Sequence, residues 1–120
     1  MGEELEDLLR EVEKRGFKVY RRVKLEGTSG FGYYFDVVVE NPATKKKAAL
    51  TYISEVGARH VLPLLTCKVD VDVVHLVLAK TADPIATILL KEAGMDVVLI
   101  DPSMDKEKVV EKLRKILGEL

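Results

Sequence analysis

A chain of 120 residues, 48% of them hydrophobic and 32% charged, is long enough for one domain with its own core. No apolar run approaches the roughly 20 residues that cross a bilayer, the N-terminus is acidic rather than signal-like, and the single Cys67 excludes an internal disulfide and a cysteine-based zinc site. We therefore expect one domain over residues 1–120 in the cytoplasm, and the many Lys and Glu residues without Trp are typical of heat-adapted proteins.

The first half of the chain predicts one helix followed by three strands. Gly16 is placed to end the helix, whose apolar stripe is Leu5, Leu8, Leu9 and Val12. Residues 17–25 alternate, which predicts a half-buried strand with Phe17, Val19, Val23 and Leu25 on one face. A glycine-rich turn at 27–32 leads to a strand at 33–40, and a third strand follows at 48–53. Short connections indicate an antiparallel meander.

The second half alternates helices with buried strands. Residues 55–68 predict a helix that Pro63 kinks or splits, and 73–79 is an apolar strand of the kind buried on both faces. Asp83 and Pro84 begin the next helix, 97–100 is another strand, and Asp101, Pro102 and Ser103 begin a last amphipathic helix. The order α-β-β-β-α-β-α-β-α predicts an α/β fold, with a mixed sheet of antiparallel and then parallel strands and helices on both faces.

Basic residues are concentrated in two segments, although the net charge is only −1. Residues 14–25 contain six basic side chains and no acidic one, and Lys45, Lys46 and Lys47 form a second block. Phosphate neutralisation requires local positive charge, so these segments are candidates for a phosphate-contacting face. The alternative is a solvated strand edge and a lysine-rich turn.

Asp36 is the candidate for chemistry, because it lies in a strand beside Val37, Val38 and Val39. Burying its charge there requires a metal ion, a partner or a pKa shift. Alternation puts Tyr34, Asp36, Val38 and Glu40 on one face, but Glu40 is about 13 Å along the strand, too far to share an ion with Asp36. Pairing with a nearby Arg or Lys is the alternative. His60 and His75 are interpreted as structural.

The helix, the strand, the turn Gly27-Thr28-Ser29-Gly30 and then Asp36 in a hydrophobic strand resemble the PD-(D/E)XK superfamily, in its Mrr-like, archaeal form of the restriction-endonuclease fold. The similarity spans residues 5–100 and includes Gly94-Met95-Asp96-Val97-Val98. In active members the aspartate holds a divalent ion, and an acidic residue and a lysine follow on the next strand. Thr51 and Ile53 stand at those two positions here. The resemblance implies a degenerate site, in which Glu55, Lys47 or Lys45, and an acid of the first helix such as Glu4 or Glu11, could replace the missing groups.

Three functions remain open. The first is a nucleic-acid-binding domain without catalysis or cofactor, for DNA rather than RNA, acting as a homodimer or with a partner subunit and away from membranes. Its contacts would come from Lys18, Arg21, Arg22, Lys24, Ser29, Gly30, Tyr33, Lys45 and Lys46. The second is a Mg²⁺-dependent nuclease whose metal ligand is Asp36 and whose other catalytic residues are Glu55 and Lys47. The third is an assembly module that forms a homodimer through the apolar strand and the C-terminal helix.

Overall fold

The protein is described by a computed structural model that covers residues 3–100 and 106–118. Over these residues one mixed sheet has the strand order β1-β2-β3-β5-β7, in which β1, β2 and β3 are antiparallel and β3, β5 and β7 are parallel. This confirms the predicted α/β architecture. The elements are α1 (Glu3–Lys14), β1 (Lys18–Glu26), β2 (Gly32–Glu40), β3 (Lys47–Tyr52), β4 (Glu55–Val56), α2 (Ala58–Asp70), β5 (Val74–Ala79), β6 (Thr81–Ala82), α3 (Pro84–Glu92), β7 (Asp96–Leu99) and α4 (Lys106–Leu117).

Each face of the sheet buries its own side chains because successive residues of a strand point to opposite sides. Val37 and Val39 of β2 pack with the stripes of α1 and α4, whereas Val38 packs on the other face with the end of α2. A third cluster joins α2 and α3 to β5 and β7. The two helix pairs therefore cover opposite faces, and the central strands are buried between them.

The first hairpin departs from the predicted alternation. Phe17 and Val19 pack in the α1–α4 cluster, whereas Val23 and Leu25 pack with Phe35 on the opposite face. The prediction of one common face for these four residues was wrong. Arg22 lies between the two pairs in the left-handed conformation, with φ 54°. That conformation interrupts the regular alternation of a strand.

Two other local predictions need correction. The chain forms the short strand β4 before α2 begins, and α2 continues without a break through Pro63. Pro63 is exposed, so water can bond the carbonyl that loses its helical donor. The predicted helix start at 101–103 lies outside the described residues. Within the described ranges, no helix is long and apolar enough to cross a membrane.

Candidate nucleic-acid interface

Asp36 lies where β2 and β3 separate. Their ladder ends at the pair Val37–Leu50, and Asp36 is the next residue outward. Its Oδ2 accepts a hydrogen bond of 2.8 Å from the backbone N–H of Tyr52. The carboxylate thus takes the place of a strand carbonyl, and β3 continues to pair with β5 on its other edge. Within the described residues Asp36 forms no ion pair, so its partner is a backbone amide rather than the Arg or Lys considered from the sequence.

The surroundings of Asp36 do not fit a divalent ion. Thr51 is the next residue opposite it in the register, and a threonine hydroxyl is a weak substitute for a second carboxylate. Glu55 lies exposed in β4, and Lys47 pairs with Glu40 at the other end of the β2–β3 ladder. Residues 3–100 and 106–118 contain no group of three or more His, Cys, Asp or Glu side chains placed to hold a metal. The structure does not bring Lys47 to Asp36.

A shallow groove of about 610 Å³ lies beside the lysine block. Four lysines and one acidic side chain, Asp72, line it, together with apolar residues of β5 and α4. We call it the lysine groove; its lysines are Lys45, Lys46, Lys47 and Lys68. None of the four forms an ion pair in the described part of the chain, so their charges are available to an external anion. Lys68 comes from α2 and was not predicted, because nothing in its local sequence brings it near residues 45–47.

The turn that carries these lysines is fixed by a buried amide. Asn41 is fully buried, and its Nδ2 donates to the carbonyls of Leu117 and Gly118 at 3.1 Å each. Its backbone N–H donates to the Lys46 carbonyl at 3.0 Å, and its own carbonyl accepts from the Lys45 N–H at 2.8 Å. Lys45 adopts φ 65°, a conformation that non-glycine residues rarely adopt. The lysine turn is therefore held in one conformation against the end of α4.

The glycine-rich turn already binds an internal carboxylate. Asp70, the last residue of α2, accepts from the Ser29 N–H at 2.8 Å, the Ser29 hydroxyl at 2.5 Å and the Tyr33 hydroxyl at 2.8 Å. These hydrogen bonds, that of the Ser29 hydroxyl first, hold the pKa of Asp70 well below its usual range. A Cβ at Gly27 would overlap the same carboxylate. Phosphate contact by Ser29 or Tyr33 would therefore require displacement of Asp70, while Gly30, at φ 89°, faces open space.

The basic residues of β1 have different environments. Arg21 donates to the Glu6 carboxylate at 2.9 Å across from α1, which raises the pKa of its guanidinium, so it is already neutralised. The Lys24 ammonium lies 5.7 Å from the centre of the Tyr34 ring. Lys18, beside Glu40 in the ladder, and Arg22 form no ion pair with any described residue. Of the predicted basic contacts in β1, Arg21 is therefore the one whose charge is already neutralised within the protein.

Both histidines have structural partners. The Nδ1 of His60 accepts from the Gly57 N–H at 3.0 Å at the start of α2. His75 is buried beside Phe35, with its Nε2 3.1 Å from the Val71 carbonyl, and burial lowers the pKa of its imidazole. The structural interpretation made from the sequence is in agreement with these contacts.

Two solved structures share the fold of this chain. The chain is similar to a repair endonuclease from Pyrococcus abyssi, with a TM-score of 0.57 and 19% identity over 82% of the chain. It is also similar to EndoMS in its apo form, with a TM-score of 0.51 and 18% identity over 84% of the chain. It spans 46% of the length of each of those chains. The fold is therefore restriction-endonuclease-like, as the resemblance to the PD-(D/E)XK superfamily predicted.

The family itself is shown by sequence. An uncharacterised protein of Archaeoglobus fulgidus is 32% identical over an alignment that covers 93% of each chain. The chain belongs to the same protein family as that archaeal protein. No family model matches the sequence.

Proposed function

We propose that this domain binds DNA through the lysine groove and does not cleave it. The observation that carries the proposal is the groove itself: Lys45, Lys46, Lys47 and Lys68 converge on one surface without ion-pair partners among the described residues. Lysine ammonium groups contact backbone phosphates and release the counterions condensed on them. The net charge of −1 is no obstacle, because the binding depends on the local field.

The rigidity of the lysine turn favours ligand binding over a merely solvated turn. Lysines on a mobile loop lose conformational freedom when they contact a phosphate, which lowers the affinity. Here the buried Asn41 amide and the left-handed Lys45 fix the backbone before any ligand arrives. The similarity to two solved nuclease structures, one of them a repair endonuclease, supports nucleic acid as the ligand class and DNA as its form.

Catalysis is not part of the proposal because the donor set around Asp36 is incomplete. One carboxylate, already bonded to the Tyr52 amide, stands beside Thr51 and Ile53, where the superfamily has an acidic residue and a lysine. We infer that Asp36 now supports the backbone of β3. A Mg²⁺-dependent nuclease would need Glu55 and Lys47 to reach Asp36 from the positions described above.

The assembly module predicted from the sequence requires different surfaces from those first considered. Strand β5 lies between β3 and β7 and is largely buried, and the apolar stripe of α4 packs into the core. Most apolar side chains of these two elements are therefore already covered within the domain. Helix α3 has three exposed apolar side chains, Ile85, Ile88 and Leu89. These would form the interface of a homodimer in the assembly-module hypothesis.

The test measures DNA binding and DNA integrity in the same samples. Fluorescence anisotropy with labelled duplex DNA, titrated with salt in the presence of Mn²⁺, compares the wild type with Lys45→Ala/Lys46→Ala. We expect weaker binding, and a slope of log affinity against log salt that is smaller by about 0.9 for each phosphate that the variant no longer neutralises. The matched control is Lys80→Ala/Lys91→Ala, which removes the same charge from exposed positions outside the groove.

Each outcome of this experiment decides between the three functions. Equal losses of affinity in the two double variants would mean that the groove has no special role. Cleavage on a denaturing gel, abolished in Asp36→Asn, would establish the nuclease instead. If duplex DNA does not bind even at low salt and sedimentation equilibrium shows a dimer, the assembly module is the function that remains.

A further inference from the structure

Three charged residues form one row across the first three strands of the sheet. Lys18 of β1 pairs with Glu40 of β2, and Glu40 pairs in turn with Lys47 of β3. Directly paired residues of antiparallel strands point to the same side of the sheet. Neighbouring strands are about 4.8 Å apart, so Lys18 lies roughly 10 Å from Lys47, a residue of the lysine groove. The register therefore places another lysine beside that groove.

The row lies on the face of the sheet that α2 covers. Val38, two residues before Glu40, packs with the end of α2, whereas Val39 packs on the opposite face. Lys68 of α2 lines the lysine groove together with Lys47. A phosphate backbone that contacts these two lysines can therefore continue over β2 to Lys18 without leaving that face.

Glu40 stands between two lysines but pairs with neither. Opposite charges on directly paired residues attract each other, and yet neither Lys18 nor Lys47 forms an ion pair within residues 3–100 and 106–118. The Glu40 Oε1 instead accepts a hydrogen bond of 3.3 Å from the hydroxyl of Tyr20. Tyr20 pairs with Val38, so it is the diagonal neighbour of Glu40, at a distance that an aromatic side chain can span.

We propose that Tyr20 holds the Glu40 carboxylate away from Lys18 and Lys47, and that DNA bound in the lysine groove continues across β2 to Lys18. The inference rests on the proposed function and adds to it a direction for the DNA, across the strands. Tyr20 is a positioning residue, because it acts through Glu40. A phosphate that reaches Lys18 passes the Glu40 carboxylate, so the partner of that carboxylate affects the charge that the DNA meets.

The first test compares two lysines of β1. Anisotropy of labelled duplex DNA, titrated with salt, gives the affinity of the full chain and its salt dependence. Lys18→Ala should weaken binding and reduce the slope of log affinity against log salt by about 0.9, the effect of one phosphate contact. Lys24→Ala is the matched control, because Val23 and Leu25 pack on the α2 face and the residue between them points to the other face. It should leave the slope unchanged.

The second test is a double-mutant cycle on Tyr20 and Glu40. Tyr20→Phe keeps the ring and removes the hydroxyl, so that Glu40 is free to pair with a lysine. We expect the affinity for DNA to fall by about 1.5- to 5-fold, the range of an exposed ion pair that the DNA must displace. Glu40→Gln should strengthen binding, because it removes a negative charge from the row. In the Glu40→Gln background, Tyr20→Phe should have no further effect.

Several outcomes would overturn the inference. A loss in Tyr20→Phe that is equal with and without Glu40→Gln would mean that the hydroxyl does not act through Glu40. Equal effects of Lys18→Ala and Lys24→Ala would exclude the path across β2. In either case the proposed function stands if Lys45→Ala/Lys46→Ala still weakens binding. If the wild type does not bind duplex DNA, the proposed function fails, and this inference with it.

Discussion

Asp36 contributes to the backbone of β3, and two substitutions distinguish that contribution from its charge. Asp36→Ala removes the acceptor of the Tyr52 amide, and we expect the free energy of unfolding to fall by about 1–3 kcal/mol. Asp36→Asn keeps an acceptor oxygen in nearly the same place, so the decrease should stay below about 1 kcal/mol. Urea denaturation followed by circular dichroism measures both.

Thr51→Ala is the control, because it changes the side chain opposite Asp36 and leaves the backbone amide of Tyr52 intact. It should be close to the wild type in stability. If Asp36→Asn lowers the free energy of unfolding as much as Asp36→Ala does, then the negative charge of Asp36 stabilises the fold in addition to the hydrogen bond. That result would indicate that Asp36 binds a cation in solution.

Asp70 connects the end of α2 to the glycine-rich turn. Its ionisation should make the free energy of unfolding depend on pH in the acid range. Its pKa is lowered in the folded protein by the donors of Ser29, Tyr33 and Thr28. The folded state thus keeps the carboxylate ionised, while the unfolded chain takes up a proton near the ordinary aspartate value of about 3.9. The stabilisation is fully present above that pH and is lost as the pH falls through the lower, folded pKa.

Asp70→Asn removes this ionisation, so we expect a lower melting temperature at neutral pH and a flatter decline of stability below about pH 4. Differential scanning calorimetry at a series of pH values measures the effect. Asp72→Asn is matched to it, since Asp72 is exposed and accepts no hydrogen bond from the described residues. Parallel acid profiles for the two variants would mean that the Asp70 contacts do not stabilise the folded state in solution.

The position of an individual residue was predictable where its neighbours in sequence determine its secondary structure. The three valines after Asp36 marked it as an unusual strand residue, and the structure places it at the predicted strand. The partner of Asp70 was not predictable, because Ser29 and Asp70 are far apart in sequence and meet only when α2 packs on the hairpin. From the sequence alone, Ser29 and Gly30 were therefore candidates for nucleic-acid contact.

At the scale of elements, Asn41 joins the β2–β3 turn to the last turn of α4. Asn41→Ala removes the Nδ2 donor from the Gly118 carbonyl and leaves the Leu117 carbonyl with the Thr44 hydroxyl as its side-chain donor. We expect the free energy of unfolding to fall by about 1–3 kcal/mol, because a buried polar group without a partner loses its hydration uncompensated. Chemical denaturation measures the decrease. Lys46→Ala, in the same turn but exposed, should differ from the wild type by less than about 0.5 kcal/mol.

A substitution at Asn41 should also disturb the lysine groove, since the same residue fixes Lys45 and Lys46. The stability change of Asn41→Ala should therefore be accompanied by weaker DNA binding, whereas Lys46→Ala changes binding alone. An Asn41→Ala protein with unchanged stability would show that the amide contacts do not hold α4. The sequence suggested only a turn at Asn41, because burial of its side chain depends on a helix some seventy residues away.

The order of the four helices and the five strands of the main sheet was predictable, but the short strands β4 and β6 and the faces of β1 were not. Regular alternation predicted a single buried face for β1, and the left-handed Arg22 divides that face into two. The hydrophobic pattern does not predict a left-handed backbone conformation, which is uncommon for arginine. The proline predicted a kinked or split helix at Pro63, whereas α2 extends through it, since the exposed position lets water bond the carbonyl that loses its donor.

At the scale of the whole molecule, the order of the elements carried most of the information. Three strands with short connections must be antiparallel, and strands separated by helices must be parallel, so the mixed sheet followed from the sequence. The convergence of charge could not be predicted in the same way. Lys68 reaches the groove only through the packing of α2, and Arg21 is neutralised only because α1 lies beside β1.

The packing of α1 beside α4 has a consequence for the newly made chain. An ion pair between Arg15 and Glu107 links the two regions, and Val110, Leu113 and Leu117 complete the core over α1. Synthesis proceeds from the N-terminus, so residues 106–117 leave the ribosome after the sheet that they cover. Until they emerge, the apolar side chains that α4 covers are exposed beside α1. We expect the nascent chain at that stage to be prone to aggregation.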